Sequence, residues 1–439
     1  MTELLPALLF LSVFILILLG YPVAFTLGGL AVIFGVFTSG PELFYLLPLR
    51  INGTMQNFIL IAVPLFVYMG VMLEKSGLAE RLLETMAFLL ASVRGGLALS
   101  VIVVGTLLAA STGIVGATVV TMGLLSLPTM LKRGYSPALA TGTIASAGTL
   151  GQIIPPSIVL VLLGSVLNVS VGDLFTAALV PGLVLVAGYA IFVILKATLD
   201  PRSAPSLSQS EIDMFRAKNL FREIVGAFVL PLLLILTVLG SIFAGLASPT
   251  EAAGVGAFGA TLLTIFQGRF SLRVLEEVMR QTTLLTCMVF VILIGATAFG
   301  LVFRDLGGDE YLVNLIESAN LDTYTFLALV MLIIFVAGFF IDFIEITFII
   351  VPIIAPLFQK MGIDLVWVGI LIALNLQTSF LTPPFGFSLF YLKGVAPPEV
   401  KTAHLYRGIV PFILIQLAVL IAVIAFPEIV LWLPEYLKQ

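Results

Sequence analysis

The chain has 439 residues, 60% hydrophobic and 10% charged, with a mean hydropathy of +1.22 and a net charge of −4. Soluble domains carry about 25% charged residues, so this composition excludes one, and apolar runs of 17 to 25 residues exclude the short alternating strands of a membrane β-barrel. One cysteine, Cys287, excludes an internal disulfide; a single His404, among Lys401 and Arg407, argues against zinc or haem; and no basic aromatic patch offers nucleic acid a surface.

In chain order, the N-terminus Met-Thr-Glu-Leu-Leu-Pro lacks a positive n-region, and its apolar run outlasts a signal peptide. It therefore reads as a retained first span, residues 4–19. Gly20-Tyr21-Pro22 turns the chain, 23–37 returns, and 39–52 is expected to be a loop. Residues 57–73 span again, with Pro64 as a kink, and end at Glu74-Lys75-Ser76-Gly77. In 78–93, Glu80, Arg81 and Glu84 oppose Leu82, Leu83 and Met86 at helical spacing, which predicts an amphipathic helix in the interface. Gly95-Gly96 opens a hairpin, 97–131, followed by a broken span, 136–167, and a crossing, 174–199. The polar, Ser- and Pro-rich segment 200–219 reads as a linker. Beyond it, 221–243 and 249–266 span, 271–280 is a short amphipathic piece, 282–303 spans, and 308–319 is an acidic connector. A second hairpin (324–358), a second broken span (364–393) and a last crossing (409–431) complete the plan.

The hairpins and broken spans carry the strongest signal. The first hairpin is interrupted at Ala110-Ser111-Thr112-Gly113, with Gly116 just after, and the span behind it at Ala147 to Gln152, followed by Pro155-Pro156. Each apolar piece is too short to cross a hydrocarbon core of about 30 Å alone. Irregular backbone at that depth survives only where it lines a cavity or meets a ligand. A shift of 228 residues carries Pro128 onto Pro356, Lys132 onto Lys360, Gly134 onto Gly362 and Pro155-Pro156 onto Pro383-Pro384. The second copy interrupts its hairpin at Gly338 to Asp342 and its span at Asn375 to Thr382. Glycine and proline are common in membrane helices for packing alone; their recurrence at matched positions points to an internal duplication with a transport site at its centre.

Each half thus holds five crossings and one re-entrant hairpin, and an odd number inverts one half relative to the other. The charges agree. Of 20 Lys and Arg, all but Arg50, Arg304, Lys360 and Lys438 fall on one side. The positive-inside rule makes that rich side cytoplasmic and puts both termini outside. The first hairpin then enters from the cytoplasm and the second from outside, with tips meeting near the midplane.

No Lys or Arg lies in either tip or break. The polar groups there are Ser111, Thr112, Thr118, Ser146, Thr149, Gln152, Asp342, Asn375, Gln377, Thr378, Ser379 and Thr382. Hydroxyl, amide and unwound carbonyl oxygens suit Na⁺, and half-helix N-termini suit an anion. The two Pro-Pro pairs are expected in the first turn of each second half-helix. Hydroxyls in membrane helices commonly bond their own backbone instead. Asp342 is different, because a carboxylate in an apolar hairpin is costly unless paired, solvated or protonated. Glu345, three residues on, would share that site or face the tip without a role. Ser248-Pro249-Thr250-Glu251 reads as a capping box, which makes Glu251 structural.

The paired breaks with Pro-Pro, Ser-Pro-Thr-Glu-Ala-Ala at 248–253, Leu-Lys-Arg-Gly-Tyr-Ser-Pro at 131–137 and, most specifically, Gly-Gln-Ile-Ile-Pro-Pro-Ser at 151–157 resemble one family over nearly the whole chain. It is the large membrane subunit of tripartite ATP-independent periplasmic (TRAP) transporters, within a wider superfamily of elevator carriers. The resemblance implies an all-α polytopic protein that imports a small organic anion (carboxylate, keto acid or sulfonate) on a Na⁺ gradient of two or more ions per cycle. It implies a periplasmic binding protein and a small four-helix membrane subunit as partners in the bacterial inner membrane. That subunit is expected as a separate chain, since the large-subunit pattern starts at once. Residues 1–93 and 220–320 would form a scaffold, with the interfacial helices as arms, 200–219 the cytoplasmic linker, and 94–199 with 321–439 the moving transport domain. Carried onto this sequence, one Na⁺ site falls at Ser111, Thr112 and Gly113 with Ser146, Gly148 and Thr149. The other falls at Gly338 and Asp342 with Thr378 and Thr382. Thr112, Thr118, Gln152, Asn375, Gln377 and Ser379 are left for substrate between them. The first tip departs from the family's Ser-Gly-Ser type.

Three other readings compete. A self-sufficient carrier of the same superfamily would work without a binding protein. An intramembrane enzyme would need a Ser/His dyad, paired membrane aspartates or His-Glu-x-x-His, none of which a lone loop His supplies. A channel fits poorly with opposed hairpins.

Overall fold

The computed structural model describes residues 4–112, 115–206, 224–319 and 321–438, and every long element among them is a helix. The first half runs α1 (Leu5–Leu18), α2 (Val23–Thr38), α3 (Leu47–Met55), α4 (Ala62–Lys75) and α5 (Leu78–Leu89). The hairpin α6 (Gly96–Thr112) and α7 (Val115–Lys132) follows, then the broken span α8 (Pro137–Thr149) and α9 (Ile158–Leu167), and α10 (Val171–Leu199). The second half has α11 (Leu230–Phe243), α12 (Pro249–Phe266), α13 (Leu272–Asp305) and α14 (Gly308–Ala319). Its hairpin is α15 (Thr323–Ala337) with α16 (Phe343–Ile349) and α17 (Val351–Lys360), the last two bent by 52°. The second broken span is α18 (Leu365–Leu381) and α19 (Phe387–Val395), and α20 (Thr402–Ala425) and α21 (Glu428–Leu437) close the fold.

The duplication is visible in local chemistry. Ser136 caps α8, accepting from the Leu139 N–H, and Asp364, 228 residues later, caps α18, accepting from the Val366 and Trp367 N–H groups. Ahead of each cap, Gly134 (φ +80°) and Gly362 (φ +72°) end the preceding helix in the left-handed conformation. The matching bonds Tyr135 N–H to Met130 O and Ile363 N–H to Phe358 O are both 3.0 Å.

Packing repeats the relation. α2 lies along α13 and α4 along α12, while the 228-residue shift converts α2 into α12 and α4 into α13. Thus α2 packs on the equivalent of α4, and α4 on the equivalent of α2, the exchange that a two-fold relation requires. α8 on α20 and α10 on α18 form the same exchanged set. The first halves of the broken spans are the most buried elements: α8 from Leu139 to Thr149 and α18 from Trp367 to Leu381 contain no exposed residue.

Several expected boundaries move. Residues 39–52 are largely helical, a 3₁₀ turn Pro41–Leu46 followed by α3, because Pro41 and Pro48 each start a first turn. The pieces 271–280 and 282–303 are one helix, α13, since no breaker separates them. The expected connector 308–319 is the amphipathic helix α14, at the position the repeat assigns to the equivalent of α5. The last crossing stops at Ala425 because Pro427 starts a new helix. The start of the linker is docked: Ala204 O accepts from Gly95 N–H and Ser203 O from Ser136 N–H, at the entrances to the hairpin and to α8. Asp200 is held below the usual carboxylate range chiefly by the hydrogen bond from the Lys196 ammonium. Linker residues 207–219 lie outside the described residues.

Against ten expected crossings, six helices among the described residues are long and apolar enough to span by length and composition, or seven counting the bent pair. The remainder are short. α1, with 14 residues, rises about 21 Å at about 1.5 Å per residue, and each broken span divides its length between two half-helices.

Candidate functional site

The break expected at Asn375 to Thr382 begins only at Thr382, because α18 stays helical through Leu381; it is the C-terminal ends of α8 and α18 that meet, buried between the two halves. Gln377 Nε2 donates to Thr149 Oγ1 at 3.4 Å. These residues are 228 apart, so each is the repeat equivalent of the other and the contact lies on the pseudo-two-fold axis. Gln377 Oε1, and both the amide nitrogen and oxygen of Gln152 three residues after Thr149, are buried without a hydrogen-bond partner among the described residues; Thr143 Oγ1 on α8 and Thr347 Oγ1 on α16 are likewise unpaired. Buried polar groups are normally paired, and leaving one unpaired costs about 1–3 kcal/mol. Unpaired amide atoms where the ends of α8 and α18 meet are available to a polar guest.

The hydroxyls follow one pattern. Ser146 donates to Thr143 O, Thr149 to Ser146 O, Thr378 to Leu374 O, Ser379 to Leu376 O and Thr382 to Thr378 O, at 2.7–3.1 Å. Each thereby spends its only proton on its own helix, the local satisfaction that membrane hydroxyls favour. Each keeps oxygen lone pairs, so the set is built to accept or to ligate a cation rather than to donate. Among the described residues no three His, Cys, Asp or Glu cluster. A cation here would rely on hydroxyl, amide and carbonyl oxygens.

Each hairpin packs closely on the first half of its own broken span. A Cβ on Gly338 would sit 2.2 Å from Ser379 Oγ and 3.0 Å from its Cβ; one on Gly148 would sit 2.3 Å from Val119 Cγ2. Both positions admit only hydrogen, which lets the second tip touch α18 and α7 touch α8. Phe340 of the second tip stacks near Phe385 in the second break, ring centroids 5.2 Å apart. Across the halves, Ser388 donates to Ala145 O at 3.0 Å, joining α19 to α8.

Asp342 is the N-cap of α16. Its Oδ1 accepts from Phe343 N–H at 2.7 Å, and Glu345 Oε2 accepts from Asp342 N–H at 3.1 Å, closing a capping box. Glu345 thus has a structural bond, and the Asp-x-x-Glu pattern that predicts it stands in the sequence. The Ser248–Glu251 box forms as expected, with Ser248 N–H to Glu251 Oε2 at 2.8 Å and Glu251 N–H to Ser248 Oγ at 3.3 Å. Asn375 donates Nδ2 to Met331 O at 2.7 Å, bracing α18 against α15. Thr118 is buried on α7. Gly113 and the side chains of Ser111 and Thr112 lie outside the described residues.

One expectation about the breaks is corrected. The Pro-Pro pairs do not open the second half-helices; α9 starts at Ile158 after an extended Ser157, and α19 at Phe387 after Gly386. Thr382, immediately before Pro383, is extended (ψ 124°). A residue preceding proline is pushed out of the helical region, so the pair ends the first half-helix instead of starting the second. Both Pro-Pro bonds are cis. Sequence reading missed Ser388, Thr143 and Thr347. The repeat offset was the available signal for the central pair, since equivalents on a two-fold axis touch each other.

Comparison with known proteins agrees with this architecture. Residues 10–429 match the family model described as the tripartite ATP-independent periplasmic transporter, DctM component. The C4-dicarboxylate TRAP transporter large permease protein DctM of Vibrio cholerae is 30% identical over 98% of each chain. The ectoine/5-hydroxyectoine TRAP transporter large permease protein UehC of Ruegeria pomeroyi is 31% identical, again over 98% of each. The crystal structure of the Alcanivorax borkumensis YdaH transporter superposes with a TM-score of 0.64 at 16% identity, covering 96% of this chain and 98% of that one, a likeness of fold. With two broken spans joined across a two-fold axis, and relatives that are permeases and not enzymes, this chain belongs to the DctM-component family, the large membrane permeases of tripartite ATP-independent periplasmic transporters.

Proposed function

We propose that the chain is the permease subunit of a Na⁺-driven, binding-protein-dependent importer of a small organic anion in the bacterial inner membrane. The observation that carries this reading is the buried Gln377–Thr149 contact between the repeats, with the amides of Gln377 and of neighbouring Gln152 left with unpaired atoms. The relatives' names span different substrates, so likeness selects no single anion. In this reading Gln152 and Gln377 turn their amides to the anion, with Thr118 and Ser379 beside them. Na⁺ is cargo, carried by the oxygens of Ser146, Thr149, Thr378, Thr382 and the tips, with the carboxylate of Asp342 at the second tip and that of Glu345 held in its cap. Asn375 spends one amide N–H on bracing α18, which leaves its carbonyl oxygen for substrate.

Residues 1–93 and 220–320 act as the fixed scaffold, and 94–199 with 321–439 as the body that slides. Two polar bonds bridge them: Thr121 to Glu74 Oε1 at 3.3 Å and Asn57 Nδ2 to Ser165 Oγ at 2.9 Å. The charge asymmetry makes Arg50, Arg304, Lys360 and Lys438 periplasmic. A periplasmic binding protein delivers substrate on that side, and a small membrane subunit enlarges the scaffold.

The test is uptake in proteoliposomes of this chain with its small subunit, with and without the binding protein and an imposed Na⁺ gradient. Accumulation that requires both is expected. Accumulation by this chain alone would make it a self-sufficient carrier, and uptake indifferent to Na⁺ would remove the coupling.

A further inference from the structure

A cavity of about 400 Å³ lies between α3 and α13 on one side and α9, α16 and α17 on the other, and none of its lining residues belongs to α8 or α18. Its polar lining is Arg50, Thr54, Asn57, Ser165, Thr297 and Arg304. The larger cavity of this molecule, about 780 Å³ beside α1, is almost wholly apolar and faces where lipid would lie. The smaller one differs in kind. Of the four cationic side chains on the charge-poor side, two line it, and no Asp or Glu does. Arg50 has no carboxylate in ion-pair range among the described residues, whereas Arg304 Nε stands 3.5 Å from Asp309, both half-exposed. An exposed pair of that geometry is weak, so the lining keeps a positive bias. Its volume falls in the range of small-molecule pockets, about 300–1,000 Å³, and is too small for a folded partner. The Asn57–Ser165 bond crosses its wall, joining the two bodies that move in the proposed cycle.

We propose that this cavity is an outward vestibule that gathers small anions, carboxylates above all, before they reach the breaks. The inference rests on the sidedness and domain division of the proposed function. Clefts lined by one sign of charge raise the local concentration of the opposite ion and its rate of capture.

The experiment places a thiol in the cavity, Thr54→Cys with Cys287→Ser, in the permease complex in nanodiscs. It compares labelling by an anionic and a cationic methanethiosulfonate reagent. The anionic reagent is expected to react faster, and millimolar succinate to slow it. Arg50→Gln should lower the anionic-to-cationic rate ratio about fivefold or more, Arg304→Gln should lower it less, Arg50→Lys should restore it, and Lys438→Gln, outside the cavity, should leave it alone. A ratio indifferent to Arg50 overturns the vestibule. So does a loss of uptake in Arg50→Gln at limiting binding protein with an unchanged ratio, which would assign the arginine to docking that protein. Labelling needs neither a Na⁺ gradient nor a binding protein, so it reads the vestibule even where the transport reading fails.

Discussion

Replacing Gly338 with alanine tests the contact on which the second half of the site depends. The added methyl would lie 2.2 Å from Ser379 Oγ, 3.0 Å from Ser379 Cβ and 3.3 Å from Ile334 O. Rotating the serine does not relieve this, because its Cβ is fixed on α18 and its hydroxyl is held to Leu376 O at 2.8 Å. An ordinary contact with the oxygen needs about 3.5–4 Å, so the tip must withdraw from α18 by more than an ångström. Over-packing of this kind costs about 1–3 kcal/mol. Since 1.4 kcal/mol is about a factor of ten in an equilibrium, uptake should fall about tenfold or more while the protein still inserts and purifies as a folded complex. Initial uptake rates against Na⁺ concentration, with a thermal midpoint on the same sample, make the measurement. A double-mutant cycle with Ser379→Ala sharpens it. Removing Oγ leaves only the 3.0 Å carbon contact, so Gly338→Ala should do less harm in that background. Wild-type uptake by Gly338→Ala, or strict additivity of the two changes, would show that the second tip does not rest on α18.

Three further outcomes follow from the same geometry. Asp342→Asn preserves a good N-cap while removing the charge, whereas Asp342→Ala removes both at about 1 kcal/mol of helix stability. If the carboxylate helps hold Na⁺, half-saturating Na⁺ rises in both variants and stays put in Glu251→Gln; a rise in none of the three makes Asp342 a cap and nothing more. Gln152→Leu removes two orphaned polar atoms, so the thermal midpoint should hold or rise while the apparent KM for substrate increases about tenfold; an unchanged KM takes Gln152 out of the site. Ser248→Ala should lower the thermal midpoint through loss of its cap, worth about 1 kcal/mol, with KM for substrate and Na⁺ untouched, and a shifted Na⁺ response there would contradict its structural assignment.

Much of the fold was legible because membrane insertion imposes long apolar runs, and because duplication repeats its punctuation. Pro128, Gly134, Ser136 and Pro155-Pro156 each have a counterpart 228 residues on, and the structure gives Gly134 and Gly362 the same turn, and Ser136 and Asp364 the same cap. Boundaries were less legible where the sequence offers no breaker. Between Arg280 and Thr282 nothing stops the helix, so the amphipathic piece and the span fuse into α13.

The sequence by itself determined the solvent, the helical class, the two-fold plan and the segments that hold the site, because composition, periodicity and repeat offset are properties of order along the chain. Only the tertiary structure decided which polar groups are available to a guest. Ser146, Thr149, Thr378, Ser379 and Thr382 look alike as letters, but each turns its proton onto its own helix. Asn375 spends one amide N–H on bracing α18, while Gln152 is left unpaired. From the sequence Glu345 could share Asp342's site or face the tip without a role; the start of α16 gives it one, in a cap with Asp342. The hydroxyl and cap bonds are local, at most four residues apart, but Asn375 to Met331 and Gln377 to Thr149 span 44 and 228 residues, so only the folded chain decides those.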